Sequence, residues 1–279
     1  MKHKAFGRTG EQVSVIGQGR WYIDRGDRAA AGWALRKGLD LGMSHIDTAE
    51  MYGDAELVIA DAIAGRRDEV FLVSKVLPGN ASRRGTVQAC ERSLKRLGTD
   101  RLDCYLLHWR GQYPLEETVA AFEGLVSAGK IRSWGVSNFD ASHMAEMLAV
   151  AGEGRIACNQ VLYHLNERAI EHSVIPWCEH HGVAVVAYSP FGHNDFPEPT
   201  SAGGKVLQEI AARHNSTPRQ VALGFLNRHP SLFAIPKTSR AIHAADNAAA
   251  GDIALTESEV AALDKVFPLG REPRSLPMI

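Results

Sequence analysis

The amino-acid sequence predicts a (β/α)8 barrel with a β-hairpin in front and a short tail behind. Three observations carry that expectation. Short apolar runs alternate with longer stretches of helical period eight times along 279 residues. The segments between the runs are long enough for the helical crossovers that parallel strands need. No Pro/Gly/Ser-rich linker divides the chain, so residues 1–279 read as one domain. A doubly wound sheet is the alternative. It is disfavoured because Gly17-Gln18-Gly19 lacks the third glycine of the dinucleotide fingerprint, Tyr22 standing in its place.

The elements follow in order. Lys4 to Val13, with Gly7 and Gly10 between alternating runs, reads as the hairpin. The first barrel strand is Val13 to Gly17. Its helix opens near Asp27 as N-cap, buries Ala30, Trp33, Ala34 and Leu41, and stops at Gly42. The second strand, Ser44 to Asp47, leads to a short helix through Leu57 to Ile63. The third, Val70 to Lys75, leads to a helix with Val87, Cys90, Leu94 and Leu97 on one face, ended by Gly98. Leu102 to His108 and Ile131 to Ser137 are the fourth and fifth strands, with helices marked by Val119, Phe122 and Leu125, then by Met144, Met147 and Leu148. Ile156 to Gln160 is the sixth, followed by a helix over Val174 to His181. Val183 to Tyr188, nearly all apolar, suits a strand covered on both faces. Two helices come next, the second with Thr217 as cap and Pro218 in its first turn. The eighth strand is Leu232 to Lys237. Asp246 and Asn247 lie on the helix after it, and Thr256-Glu257-Ser258-Glu259 is a capping box for the last helix.

Composition narrows the function. A formal net charge of -1 gives no electrostatic case for nucleic acid or an anionic membrane as partner, and no apolar run approaches membrane-spanning length. The N-terminus has charge but no apolar region behind it, so it does not read as a signal peptide. Cys90, Cys104, Cys158 and Cys178 show no CxxC spacing and read as buried hydrophobes of a cytoplasmic protein. No metal is expected. His180 and His181 are adjacent on a helix and face apart, and the other histidines have no ligand spacing.

What closes each strand is more telling. The ends carry Asp47, Lys75, His108, Ser137-Asn138, Asn159-Gln160, Tyr188-Ser189 and Lys237-Thr238, and a barrel gathers all such ends on one rim. Any one of them alone could be a strand cap or a hydrogen-bonded core group. Together they place an acid, a lysine and a histidine within reach of Tyr52. Tyrosine is a poor proton donor near neutral pH, with a free pKa of about 10, and Lys75 is the cation that could change that.

These residues also carry a family resemblance. Asp47-Thr48-Ala49 with Tyr52-Gly53, Val73-Ser74-Lys75, Leu106-Leu107-His108-Trp109, Gly135-Val136-Ser137-Asn138 and Ile235-Pro236-Lys237 resemble the aldo-keto reductases, over nearly the whole chain. In finer detail the chain resembles bacterial reductases of methylglyoxal and other small aldehydes. The resemblance implies NADPH-dependent reduction of small aldehydes or dicarbonyls. Tyr52 would be the general acid, Lys75 paired with Asp47 would lower its pKa, and His108 would orient the carbonyl. It further implies that Ser137, Asn138 and Gln160 meet the nicotinamide carboxamide and that Tyr188 stacks on the ring. Gly19, Arg20 and Trp21 would border cofactor and substrate, and Ser189, Pro190 and Phe191 would line the pyrophosphate. Ile235, Pro236, Lys237, Thr238 and Ser239 would lie toward the 2′-phosphate, with Asp246 and Asn247 toward the adenine. Many members carry an arginine where this chain has His243, so NADH is the second candidate cofactor.

Trp21, Met51, Trp109 and Phe139 are expected to wall the substrate pocket. The tail from Pro268 either folds over that pocket or is disordered. A monomer is expected. The alternative function is a cofactor-binding regulatory barrel with little turnover, since the fold also serves such subunits.

Overall fold

The computed structural model describes all residues, 1–279. Strands β1 (His3–Ala5) and β2 (Gln12–Ser14) form the expected hairpin, antiparallel with Lys4 opposite Val13. Its loop sets Gly7 at φ 57° against the barrel, where a Cβ would stand 2.4 Å from the Ala157 carbonyl oxygen. Only glycine fits there. The same turn drives Phe6 into the barrel's N-terminal mouth, its ring 4.7 Å from Phe71 and 5.1 Å from Phe233.

The barrel does not begin with Val13–Gly17. Val13 and Ser14 pair within the hairpin, so the first barrel strand is only β3 (Gln18–Gly19). Beside it, in sequence order and all parallel, run β4 (His45–Asp47), β5 (Phe71–Val76), β6 (Leu102–Leu107) and β7 (Ile131–Ser137). β8 (Ile156–Leu162), β9 (Ala184–Tyr188) and β10 (Leu232–Ala234) complete the set. Bridges from Ile16 to Ala234 and from Gly19 to Lys237 close the seam between β3 and β10. Closure disposes of the doubly wound alternative.

Two apolar layers follow from the strand alternation. Inside the barrel, Phe6, Val73, Cys104, Leu106, Val186 and Phe233 belong to one small cluster. Outside, a cluster of 56 buried residues lies between strands and helices. The helices are α1 (Arg28–Asp40), α2 (Ala55–Ile63), α3 (Arg83–Leu97), α4 (Leu115–Ser127), α5 (Ala141–Ala151), α6 (Val174–His181), α7 (Ala202–Arg213), α8 (Pro218–Leu226), α9 (Ala241–Ala249) and α10 (Glu257–Val266). Capping sets their ends, as expected at Asp27, Gly98, Thr217 and Thr256 and also at Ser82, which was not expected. The Asp27 and Ser82 side chains accept from backbone amides of α1 and α3, Gly98 ends α3 at φ 61°, and Thr217 and Thr256 form complete capping boxes.

The buried face of α1 differs from the expectation. It is made of Ala31, Ala34, Leu35, Gly38 and Leu39, while Trp33 is 68% exposed and Leu41 36% exposed. The four cysteines are all buried and unpaired. No helix is long and apolar enough to cross a membrane.

Candidate active site

The rim at the strand C-termini holds an ion pair buried to an unusual degree. Lys75 lies two residues beyond Val73, the partner of Asp47 in the β4–β5 register, so its stem crosses above the smaller Asp47. Its Nζ donates to Asp47 Oδ1 at 2.6 Å and to the Thr48 carbonyl at 2.8 Å. The second Asp47 oxygen accepts from Gln160 Nε2 at 2.7 Å. Lys75 is 0% and Asp47 2% exposed. A pair this dry persists only when its remaining donors and acceptors are satisfied, as they are here. Burial works against the Lys75 charge, but Asp47 and then Tyr52 outweigh it, so the ammonium is held above its ordinary pKa.

Tyr52 stands on the loop after β4, and that loop is braced from two sides. Glu50 Oε1 accepts from the Leu77 amide at 2.7 Å and from Asn80 Nδ2 at 3.0 Å. Asp24 Oδ2 accepts from the Asp54 amide at 3.1 Å, and a Cβ on Gly53 would come within 2.2 Å of that oxygen. The Tyr52 ring then lies with its centroid 5.2 Å from Lys75 Nζ, and its hydroxyl 3.5 Å from His108 Nε2. The tyrosine pKa is not lowered overall. Burial is the largest influence and raises it, Lys75 pulls it down in part, and the net direction is upward.

His108 follows β6, and burial first, then the Lys75 charge, push its pKa down to about 2. The ring is neutral, and its Nδ1 is buried without a partner. Around it runs a polar network. Asn138 Nδ2 donates to the His108 carbonyl at 3.1 Å, Tyr188 donates to Asn138 Oδ1 at 2.9 Å, and Ser137 Oγ donates to the Gln160 carbonyl at 2.8 Å. Asn138 and Ser189 both hold positive φ, 60° and 47°. Strained backbone gathers where strand ends must aim side chains at one place.

These groups open on a cavity of about 530 Å³. Asp47, Tyr52 and His108 lie at its floor, with Trp21, Met51 and Trp109 among the walls. Ser137, Asn138, Gln160 and Tyr188 form one side; Ser189, Pro190, Phe191, Ile235 and Lys237 extend the lining, and Gly19 and Arg20 complete it. The tail does fold over the pocket, since Met278 and Ile279 also line it.

Several expected residues lie elsewhere. Phe139 is fully buried in the outer core beside His143 and does not face the cavity. The reason is a clamp: Asn159 Nδ2 holds the Phe139 carbonyl at 2.7 Å. Asp246 is committed to the start of α8, accepting from Gln220 Nε2 at 2.9 Å and from Thr217 Oγ1 at 3.3 Å. Pro236, Thr238, Ser239, His243 and Asn247 are not part of this cavity's lining, and His243 is exposed. Conversely, Tyr22, Gly192 and His193 line the cavity without having been expected. Tyr22 stacks on Trp21 at 4.3 Å, and its neighbour's indole was the one available sign.

A dinucleotide suits this donor set. Amides and a hydroxyl converge near Tyr188 at one end, and the unpaired cation Lys237 stands at the other.

Comparison with known proteins agrees with that chemistry. The model of the Aldo/keto reductase family matches residues 15–267. The chain is 44% identical to the methylglyoxal reductase YeaE of Escherichia coli (strain K12), covering 100% of both chains. It is 32% identical to the glyoxal reductase of Bacillus subtilis (strain 168), over 95% of this chain and 92% of that one. A Klebsiella pneumoniae aldo-keto reductase solved in complex with NADPH superposes with a TM-score of 0.93 at 44% identity, covering 100% of this chain and 99% of that one.

Proposed function

The chain belongs to the aldo/keto reductase family and reduces carbonyl compounds with NADPH; from that premise we propose that Tyr52 is its proton donor and that small aldehydes and 1,2-dicarbonyls such as methylglyoxal are its substrates. When bound, the nicotinamide supplies the hydride equivalent that the carbonyl carbon receives, since no side chain can.

The remaining steps belong to the protein. The Tyr52 hydroxyl gives its proton to the carbonyl oxygen as negative charge builds there. Lys75, kept charged by Asp47, stabilises the phenolate left behind. His108 is neutral, and with its proton on Nε2 it would donate to the same oxygen and fix the angle at which the carbonyl is presented. Gln160 has two tasks: its amide nitrogen secures Asp47, and its amide oxygen is left for the cofactor carboxamide. Ser137 and Asn138 serve the same carboxamide, with Tyr188 as the stacking face. Ser189, Pro190 and Phe191 would receive the pyrophosphate, with Lys237, Thr238 and Ser239 toward the 2′-phosphate. Trp21, Met51 and Trp109 give the carbonyl an apolar, water-poor setting.

The observation that carries this reading is the dry Lys75–Asp47 pair beneath Tyr52, which a mere binding barrel would have no need to maintain. The regulatory alternative finds no support among relatives named as reductases. Tyr52→Phe tests the assignment. Methylglyoxal reduction should fall by at least about 100-fold while NADPH binding, followed by fluorescence, stays intact. Activity retained in that variant refutes the assigned acid. We further take the protein to be a single-domain monomer of the cytoplasm, for which sedimentation of the purified chain is the check.

A further inference from the structure

Three lysine or arginine side chains are buried in this molecule. Lys75 faces Asp47, and Arg168 faces Glu171 and Asp264. Arg20, 1% exposed, makes no ion pair with a carboxylate. Its Nη2 donates to Gln18 Oε1 at 2.5 Å and its Nη1 to the Thr238 carbonyl at 3.0 Å, while its Nε is buried with no partner. The guanidinium cannot easily turn away. Gln18 is itself fixed by donating to the carbonyls of Leu35 at 3.3 Å and Met43 at 3.0 Å. Gly38 makes the room, because a Cβ there would stand 2.3 Å from Gln18 Oε1. So Gln18 ties β3 to α1, and one charged side chain, Arg20, ties Gln18 to the segment after β10.

Neutral acceptors satisfy two of its donors and none of its charge. Burial alone draws its pKa down to about 9, the sign of a cation without an answering anion. Keeping such a charge is costly unless a ligand completes it. Arg20 lines the cavity, as does Lys237, which together with Arg240 takes part in no ion pair. The one acid of α9, Asp246, is turned to α8. Three cations at the seam, with no acid among their partners, suit a phosphate.

We propose that Arg20 is the charge that holds the 2′-phosphate of NADPH at the barrel seam, together with Lys237 and by fixing the 237–239 segment through the Thr238 carbonyl. The proposal rests on the reading that this cavity takes NADPH. It gives the chain a fixed cation for that phosphate just past β3, where His243 on α9 offers an exposed ring without arginine's fork of donors.

The test measures NADPH and NADH dissociation constants by tryptophan-fluorescence quenching, at low and high salt, in the unmodified protein, Arg20→Gln and Arg20→Lys. Arg20→Gln should weaken NADPH roughly 10- to 100-fold, leave NADH within about twofold, and flatten the salt dependence of NADPH binding. Arg20→Lys keeps the charge and loses the fork, so NADPH should weaken only a few-fold, with NADH again unchanged. That second variant decides the matter if the first does not fold. Equal weakening of both cofactors, as from a merely structural role, overturns the assignment, and so does no weakening. If the unmodified protein binds neither dinucleotide, the reading of the cavity falls and Arg20's role with it. If it binds both and the variants spare NADPH, only Arg20's role falls.

Discussion

At Tyr52, burial and charge pull in opposite directions, and their balance sets what the residue can do. Burial keeps the phenol protonated through the neutral range, and Lys75 limits how hard its proton is to release. Replacing Lys75 by Met removes the offset and leaves Asp47 a buried, unanswered anion. We expect kcat to fall by about 10²- to 10⁴-fold with little change in NADPH affinity, as steady-state and binding measurements would reveal. A loss confined to KM contradicts the role given to Lys75. His108 and His45 carry a different signature, in stability. Burial pushes their pKa values down to about 2 and about 4, against an ordinary 6.5, so both rings are neutral when folded. Below about pH 6.5 the unfolded chain binds protons that the folded chain refuses, and stability falls as pH falls. Each ring should cost roughly 3 kcal/mol by pH 4. Urea titrations of His45→Leu should therefore lose less stability than the parent between pH 7 and pH 4; parallel losses would show that His45 does not contribute. The sequence made His108 and Tyr52 legible because strand ends meet on one rim. His45 was not legible, because no pattern in sequence says that an imidazole two residues before Asp47 faces a dry barrel interior.

Among the elements, legibility followed how local the cause was. Caps such as Thr217 and Gly98 act within a few residues and could be read directly. The phase of α1 could not. Its buried face is set by close packing that needs Ala31, Ala34 and Gly38, and the large Trp33 is left outside, so apolar size misleads there. Strand β3 was displaced for a similar reason, since the hairpin claims Val13 through a partner nine residues away. The loop over 189–201 has a cause that lies still further off. Arg219 on α8 places its guanidinium 4.8 Å from the Phe191 ring centroid and 4.4 Å from that of Phe196. That contact ties the segment bearing Ser189, Pro190 and Phe191 to the body of the barrel. A partly desolvated cation–π pair is worth about 1–2 kcal/mol. Arg219→Ala should raise the NADPH release rate by roughly 10-fold in stopped-flow displacement while leaving the association rate within about threefold. An unchanged release rate would mean the loop is held by something else.

Across the whole molecule the barrel is not equally strong around its circumference. β5, β6, β7 and β8 are six or seven residues long and pair along most of their length, with one register shift between β7 and β8 at Trp134–Val136, whereas β3 has two residues and β10 three. Between those two short strands the sheet is closed by single bridges, supported by Arg20 on Thr238 and by Lys4, which donates to the carbonyls of Asn227, His229 and Leu232. The proposed cofactor groups stand on both sides of this seam, Gly19, Arg20 and Trp21 on one and Ile235 to Ser239 on the other. A ligand that bridges them adds its binding energy to the weakest join. At a concentration 100 times its dissociation constant, that is about 2.7 kcal/mol of global stabilisation. Local protection should exceed the global effect where opening is cheapest. In hydrogen exchange, the amides of Gly17, Gly19 and Ala234, which bond across the seam, should exchange faster than those of β5 to β7 in the free protein. With NADPH they should slow the most. NADH, lacking the 2′-phosphate, should protect Ala234 less at equal saturation. Uniform slowing around the barrel would mean that the seam is not where the cofactor acts.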